Sequence, residues 1–217
     1  MATARETQAL PLKKLFADAG LKYPPEQLYL RAFKQQMQLE VWSGPRAKAL
    51  KLIARYPICA ASGLLGPKRE EGDLQVPEGF YEIKSFNPTS NFHLSMEISY
   101  PNASDRVLGT PGKLGGLIYL HGDCASIGCL AIGDGPAEQV YLMASDAKVR
   151  PVPIHIFPRQ LDEAGLKALQ PSPHFEFWKQ LQPAYTQFEQ THCVPSFSVD
   201  AKTGSYAVSS PCGNPAR

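Results

Sequence analysis

The chain has 217 residues, 43% of them hydrophobic and 19% charged, with a formal net charge of +2. That is enough for one domain with a full core and a small appendage. Charges of both signs are interspersed, which argues against a nucleic-acid partner, and no apolar run reaches the roughly 18 residues that an integral membrane span needs.

The 20 prolines and 17 glycines, spread along the chain, favour many turns and short strands. The opening Met1-Ala2-Thr3-Ala4-Arg5-Glu6 is polar and has no signal-peptide pattern. The expectation is therefore a cytosolic protein or an exported one whose signal has been removed. The cysteine count is odd, at 5: Cys59, Cys124, Cys129, Cys193 and Cys212. One reactive thiol with two disulfides would account for this, as would five reduced thiols. A Cys193–Cys212 bridge would brace a polar tail that has little core of its own, a use of disulfides typical of oxidising compartments.

In chain order, residues 10–20 predict a short helix that starts at Pro11 and stops at Gly20. Leu28 to Phe33 and Met37 to Trp42 predict a hairpin, with Leu28, Leu30 and Ala32 on one side. Residues 47–60 are ambiguous between helix and extended chain. A polar loop, 63–73, leads into strands at 80–84 and 92–100, and a turn follows at 101–106. A helix is predicted over 135–144 and a strand over 152–157. From Ser172-Pro173 a helix carries Phe175, Trp178, Leu181, Tyr185 and Phe188 on one face, which reads as a packing face; Pro183 should kink or divide it. A hairpin over 194–212, pairing residues 197–199 with 206–208, closes the chain.

The chemistry is concentrated in His121-Gly122-Asp123-Cys124-Ala125-Ser126-Ile127-Gly128-Cys129. Three readings compete. A neighbouring imidazole can activate a cysteine thiol as a nucleophile, and the separation of eight positions lets His121 fold back beside Cys129. Gly128 would allow the backbone to aim amides at an oxyanion. A zinc site could instead use His121, Cys124 and Cys129 with His93 or His155, although the spacing matches no common zinc knuckle. The loop could also hold small cysteines and a hydrogen-bonded histidine with no chemistry at all.

Residues 115–122, Gly-Gly-Leu-Ile-Tyr-Leu-His-Gly, followed by Ser126-Ile127-Gly128-Cys129, resemble the signature of the L,D-transpeptidase catalytic domain (the YkuD fold). That signature is His-Gly, a variable segment, then Ser/Thr-x-Gly-Cys. The segments 65–68, 71–73, 77–81, 100–102 with 105–106, 154–158, and 177–179 with 188–190 are similar to its YafK-like branch, and the likeness spans about residues 28–192.

The resemblance implies a mostly-β, α+β fold: a β-sandwich with flanking helices and a helical and hairpin C-terminal extension. The expected organisation is an N-terminal helix and linker (1–27), a catalytic domain (28–160) and an extension packed on it (161–217). It implies Cys129 as nucleophile, His121 as base and the Gly122 carbonyl as the group orienting His121. Amides near Gly128 and Cys129 would serve the oxyanion, with Ser126 supporting the loop.

Arg106, Lys68 and Arg69 are the candidates for a substrate carboxylate, because Leu130 and Ala131 stand where relatives often carry Arg or Asn. No metal or cofactor is called for. Cys124 is expected to pair with Cys59. The implied substrates are peptidoglycan stem peptides and a lipoprotein of the outer membrane bound covalently to them, in the periplasm of a Gram-negative bacterium. The branch resembles an amidase that releases this lipoprotein from diaminopimelate, whereas the wider family forms crosslinks. The short segment between His121 and Cys129 leaves a more open site, favouring water or a bulky substrate.

Overall fold

A computed structural model describes residues 2–209. At its centre lie β1 (Gln27–Phe33) and β9 (Val152–Phe157), two strands buried on both faces that pair in parallel, with Leu30 opposite Ile154 and Ala32 opposite Ile156. Around them are β2 (Gln38–Gly44), β3 (Lys51–Pro57), β4 (Ala60–Ala61), β5 (Gly79–Asn87), β6 (Ser95–Ile98), β7 (Ile118–His121) and β8 (Leu130–Ala131). All nine form one mixed sheet in the order β3-β2-β1-β9-β5-β6-β7-β8-β4. The expected mostly-β, α+β architecture is the one observed.

Strand alternation divides the core between the two faces of this sheet. Leu28, Leu30 and Ala32 of β1 join Ile154 and Ile156 of β9 in the larger cluster. That cluster is covered by α1 (Ala2–Asp18) and α3 (Asp134–Asp146), through Ala4, Leu12, Phe16, Val140 and Met143. On the opposite face Phe33, Phe80 and Phe157 pack under Trp178 and Leu181 of α5 (Phe175–Thr191). Arg31, also on this face, is almost fully buried, and its charge is met by Glu40 at 2.6 Å and Glu189 at 2.6 Å. The short helix α4 (Glu163–Lys167) leads into α5, and the hairpin of β10 (Ser196–Val199) and β11 (Tyr206–Ser209) lays Tyr206 and Phe197 against Phe80.

Several expectations are corrected. Helix α1 starts at Ala2 and contains Pro11, because Ala4, Gln8, Leu12 and Phe16 recur at four-residue spacing along one face. Residues 51–57, ambiguous in sequence, are a strand. Only residues 95–98 of the expected 92–100 strand pair with neighbours. Most of the turn expected over 101–106 is helical: α2 (Ala103–Leu108) is nucleated by a capping box in which Asn102 and Asp105 bond each other's backbone.

Helix α5 is not divided at Pro183. That proline and Lys179, four residues before it, are both exposed, so water can satisfy the carbonyl that loses its partner, while the buried stripe holds both halves to one sheet face. The C-terminal hairpin forms over 196–209. The expected Cys193–Cys212 bridge involves a residue outside the described ones. No helix among the described residues is long and apolar enough to cross a membrane.

Candidate active site

Strand β7 ends on His121, and β8 runs parallel beside it with Leu120 opposite Leu130 and His121 opposite Ala131. Extending this register places Cys129 beside Tyr119 and on the same side of the sheet as His121. Both residues line the same two hollows. The loop 122–129 therefore doubles back along β7 to bring together residues eight positions apart.

The histidine is fixed by its own neighbour. His121 Nδ1 lies 2.6 Å from the Gly122 carbonyl oxygen. A carbonyl only accepts, so Nδ1 carries the proton and Nε2 of the neutral ring keeps its lone pair. The Phe92 ring lies against the imidazole, with centroids 5.0 Å apart. Burial lowers the His121 pKa from its ordinary value, against the opposing bond to Gly122 and the charge of Asp123. Burial raises that of Cys129, against a backbone hydrogen bond at Tyr119 and the charge of Lys68. Both shifts favour a neutral thiol beside a neutral imidazole over a thiolate–imidazolium pair.

Gly122 has no room for a side chain. A Cβ there would stand 2.7 Å from Asp134 Oδ1 and 2.8 Å from the His93 carbonyl oxygen. The same two groups hold the loop: the Gly122 N–H donates to His93 O at 3.1 Å and the Asp123 N–H to Asp134 Oδ1 at 2.7 Å.

Ser126 ties the other end. Its hydroxyl donates to Cys129 O at 2.7 Å and accepts from Cys129 N–H at 3.1 Å and Gly128 N–H at 3.3 Å. Ser126 Oγ thus joins the backbone of Gly128 and Cys129, whose amides both point at it. Gly128 takes φ of +126°, a conformation that side chains disfavour. Cys124 is disulfide-bonded to Cys59, with Cα atoms 5.6 Å apart, and the Cys59 N–H donates to Ala131 O at 2.8 Å beside β8. Cys129 is the free cysteine among the described residues.

The three expected substrate cations are largely committed elsewhere. Lys68 lines the larger hollow, but its Nζ bonds Asp73 at 2.6 Å and the Glu70 carbonyl at 2.9 Å. Burial pushes the Asp73 carboxyl up, yet its bonds to Lys68 and to backbone amides outweigh this and leave it lowered. Arg69 reaches Asp105 at 3.4 Å and stacks on Phe177 at 4.8 Å, outside both hollows. Arg106 stands on α2, where its guanidinium bonds the carbonyls of Pro101 and Asn102.

The ligand set that zinc would need is dispersed. Cys124 is in a disulfide, His93 Nε2 meets Glu138 at 3.1 Å, and His155 Nδ1 meets the Tyr29 hydroxyl at 2.7 Å deep in the core. Phe92, Asp134 and Ser62, whose N–H donates to Ser126 Oγ at 3.3 Å, also shape the site and stand in no motif of the sequence. For Asp134 a signal existed, because an acidic residue opens the helix after the motif.

The model of the L,D-transpeptidase catalytic domain (YkuD) matches residues 30–154, and this stretch holds both His121 and Cys129. The chain belongs to the L,D-transpeptidase family. It is 35% identical over 189 residues to the L,D-transpeptidase-like protein YafK of Escherichia coli strain K12, covering 85% of this chain and 74% of that one. The counterpart in E. coli O157:H7 has the same identity and coverage.

Among solved structures, a mutant form of the helical cell shape determining protein Pgp2 of Campylobacter jejuni superposes with a TM-score of 0.51 at 21% identity. This match covers 82% of this chain and 64% of that one. A second Pgp2 structure gives a TM-score of 0.50 at 20% identity, covering 86% of this chain and 80% of that one. These structures share the L,D-transpeptidase fold with the present chain.

Proposed function

We propose that the protein is a periplasmic cysteine amidase of peptidoglycan. It hydrolyses the amide between diaminopimelate and the terminal lysine of a covalently attached lipoprotein. The observation that carries this reading is the short, tethered connection between His121 and Cys129, which leaves the nucleophile in an open cleft accessible to water. The Cys59–Cys124 disulfide supports an oxidising compartment.

In this reading Nε2 of His121, free because Nδ1–H is bonded to Gly122 O, takes the proton of the Cys129 thiol. The sulfur attacks the diaminopimelate carbonyl, the C–N bond breaks, and His121 returns the proton to the departing amine. Water then attacks the thioester with His121 as base, the C–S bond breaks, and a carboxylate and the thiol are regenerated. Hollows on both sides of Cys129 support a second reading, in which an amine acceptor replaces water and a crosslink forms.

Sacculi carrying bound lipoprotein, incubated with the enzyme and analysed by mass, separate the two. Loss of polypeptide-linked muropeptides supports hydrolysis, and new dimers joined through diaminopimelate support transfer. Cys129→Ala should lower either activity at least about 10³-fold. Full activity in that variant overturns the nucleophile assignment.

A further inference from the structure

The two hollows that meet at Cys129 differ in chemistry. The smaller, about 270 Å³, is bounded beyond the shared residues by Asn87, Thr89, Ser90, Asn91 and Ser95, all side chains that donate or accept hydrogen bonds. The larger, about 530 Å³, is bounded beyond the shared residues largely by Leu74, Leu117, Ile118, Ala125 and Ile127, with Lys68 and Glu71 at its polar edge. Its rim is unusually exposed for such side chains: Ile127 is 82%, Leu117 62%, Leu74 51% and Phe92 47% accessible. These are four of the nine large hydrophobic residues exposed among the described residues, gathered around one opening. Contiguous exposed apolar surface of this kind marks a binding site.

Cys129 and His121 form part of the wall between the hollows, so what fills each must be joined to the scissile amide. One side of that amide is a sugar-linked stem peptide, dense in carboxylates, amides and hydroxyls. The other is a polypeptide, which carries aliphatic side chains. We infer that the hollow rimmed by Leu74, Leu117 and Ile127 is a subsite for the polypeptide side of the scissile amide, and that the polar hollow takes the stem peptide. This inference rests on the amidase reading and adds to it the residues that select a protein-linked substrate over a bare muropeptide.

Leu117→Asp and Ile127→Asp place a charge on exposed positions, where folding is little affected. The test compares kcat/KM for release of polypeptide from lipoprotein-bearing sacculi with kcat/KM for a muropeptide whose diaminopimelate carries a single lysine through the same amide. The expected result is a fall of at least tenfold, about 1.4 kcal/mol, in the ratio of the first to the second. Asn91→Ala, in the polar hollow, should lower both rates together and leave the ratio in place.

An unchanged ratio in Leu117→Asp and Ile127→Asp, with the wild type active on both substrates, overturns the subsite and leaves the amidase reading standing. A wild type that cleaves the muropeptide but releases no polypeptide overturns the amidase reading and the subsite with it. A wild-type dimer in sedimentation that the two variants abolish would assign the apolar rim to a second copy of the chain, and also overturns the proposal.

Discussion

Replacing Gly122 by alanine tests whether the backbone around His121 is a built part of the site. The added methyl would lie 2.7 Å from Asp134 Oδ1, 2.8 Å from the His93 carbonyl oxygen and 3.0 Å from the His93 Cβ. The Asp134 carboxylate can rotate away, but the His93 carbonyl is backbone and must be displaced. Displacing both removes the bonds from Gly122 N–H and Asp123 N–H. Overpacking of this kind costs about 1–3 kcal/mol, and each lost hydrogen bond about 1 kcal/mol, so the expected loss is about 3–5 kcal/mol. The Gly122 carbonyl moves with the strain, and a displacement of about 1 Å at the imidazole costs roughly 10²-fold in rate. Denaturant unfolding and muropeptide kinetics measure the two effects. A variant within 0.5 kcal/mol of wild type (~ the scatter of neutral surface substitutions) that keeps full activity refutes the reasoning.

Further expectations concern the loop, the thiol and the core. Ser126→Ala leaves Cys129 N–H and C=O without their partner and should cost about 1–3 kcal/mol by chemical denaturation; an unchanged midpoint would show that the hydroxyl holds nothing. Cys59→Ala with Cys124→Ala opens a tether across a sequence separation of 65 and should cost about 2–4 kcal/mol, read as a lower melting temperature; an unchanged one would show that the bridge constrains little. Alkylation of Cys129 by iodoacetamide should keep accelerating above the ordinary thiol range, because burial raises its pKa; a plateau below neutral pH would reveal a thiolate–imidazolium pair instead. His155, buried against Tyr29, has its pKa lowered to about 3 by burial and by the charge of Arg31. Its contribution to stability is therefore present above about pH 6.5 and is lost as pH falls towards about 3, at up to about 1.4 kcal/mol per pH unit. Asp105, raised to about 6 by burial, opposes this over the upper part of that window. His155→Gln should flatten the acid limb of a stability–pH curve, and an unaltered slope would contradict the assignment.

The motif could be read from sequence because its parts are local. His121, Gly122, Ser126, Gly128 and Cys129 lie within one loop, and the bonds of Ser126 Oγ to Gly128 and Cys129 and of His121 to Gly122 join residues at most three positions apart. The aromatic face of α5 was readable for the same reason, as periodicity is a local property. What escaped was set by distant partners. Arg69 reads as a free cation in the sequence, and its partner Asp105 reaches it only through the fold. The first half of α1 carries its buried stripe on Ala4 and Gln8, residues too small or too polar to announce a core face. Phe92 sat in a segment expected as strand, and only folding brings its ring onto His121.

The Cys59–Cys124 bond divides the segment between His121 and Cys129 into two short arcs, each anchored at both ends. A segment held in this way has little configurational freedom left to surrender when a ligand arrives. The Cys129 thiol and the His121 imidazole are thus preorganised before any ligand binds, and the free energy of association goes to placing the ligand instead of ordering this loop. Such a site should show little difference in loop protection between free and occupied states. Protection would change instead in the segment that carries Phe92, which no disulfide among the described residues holds.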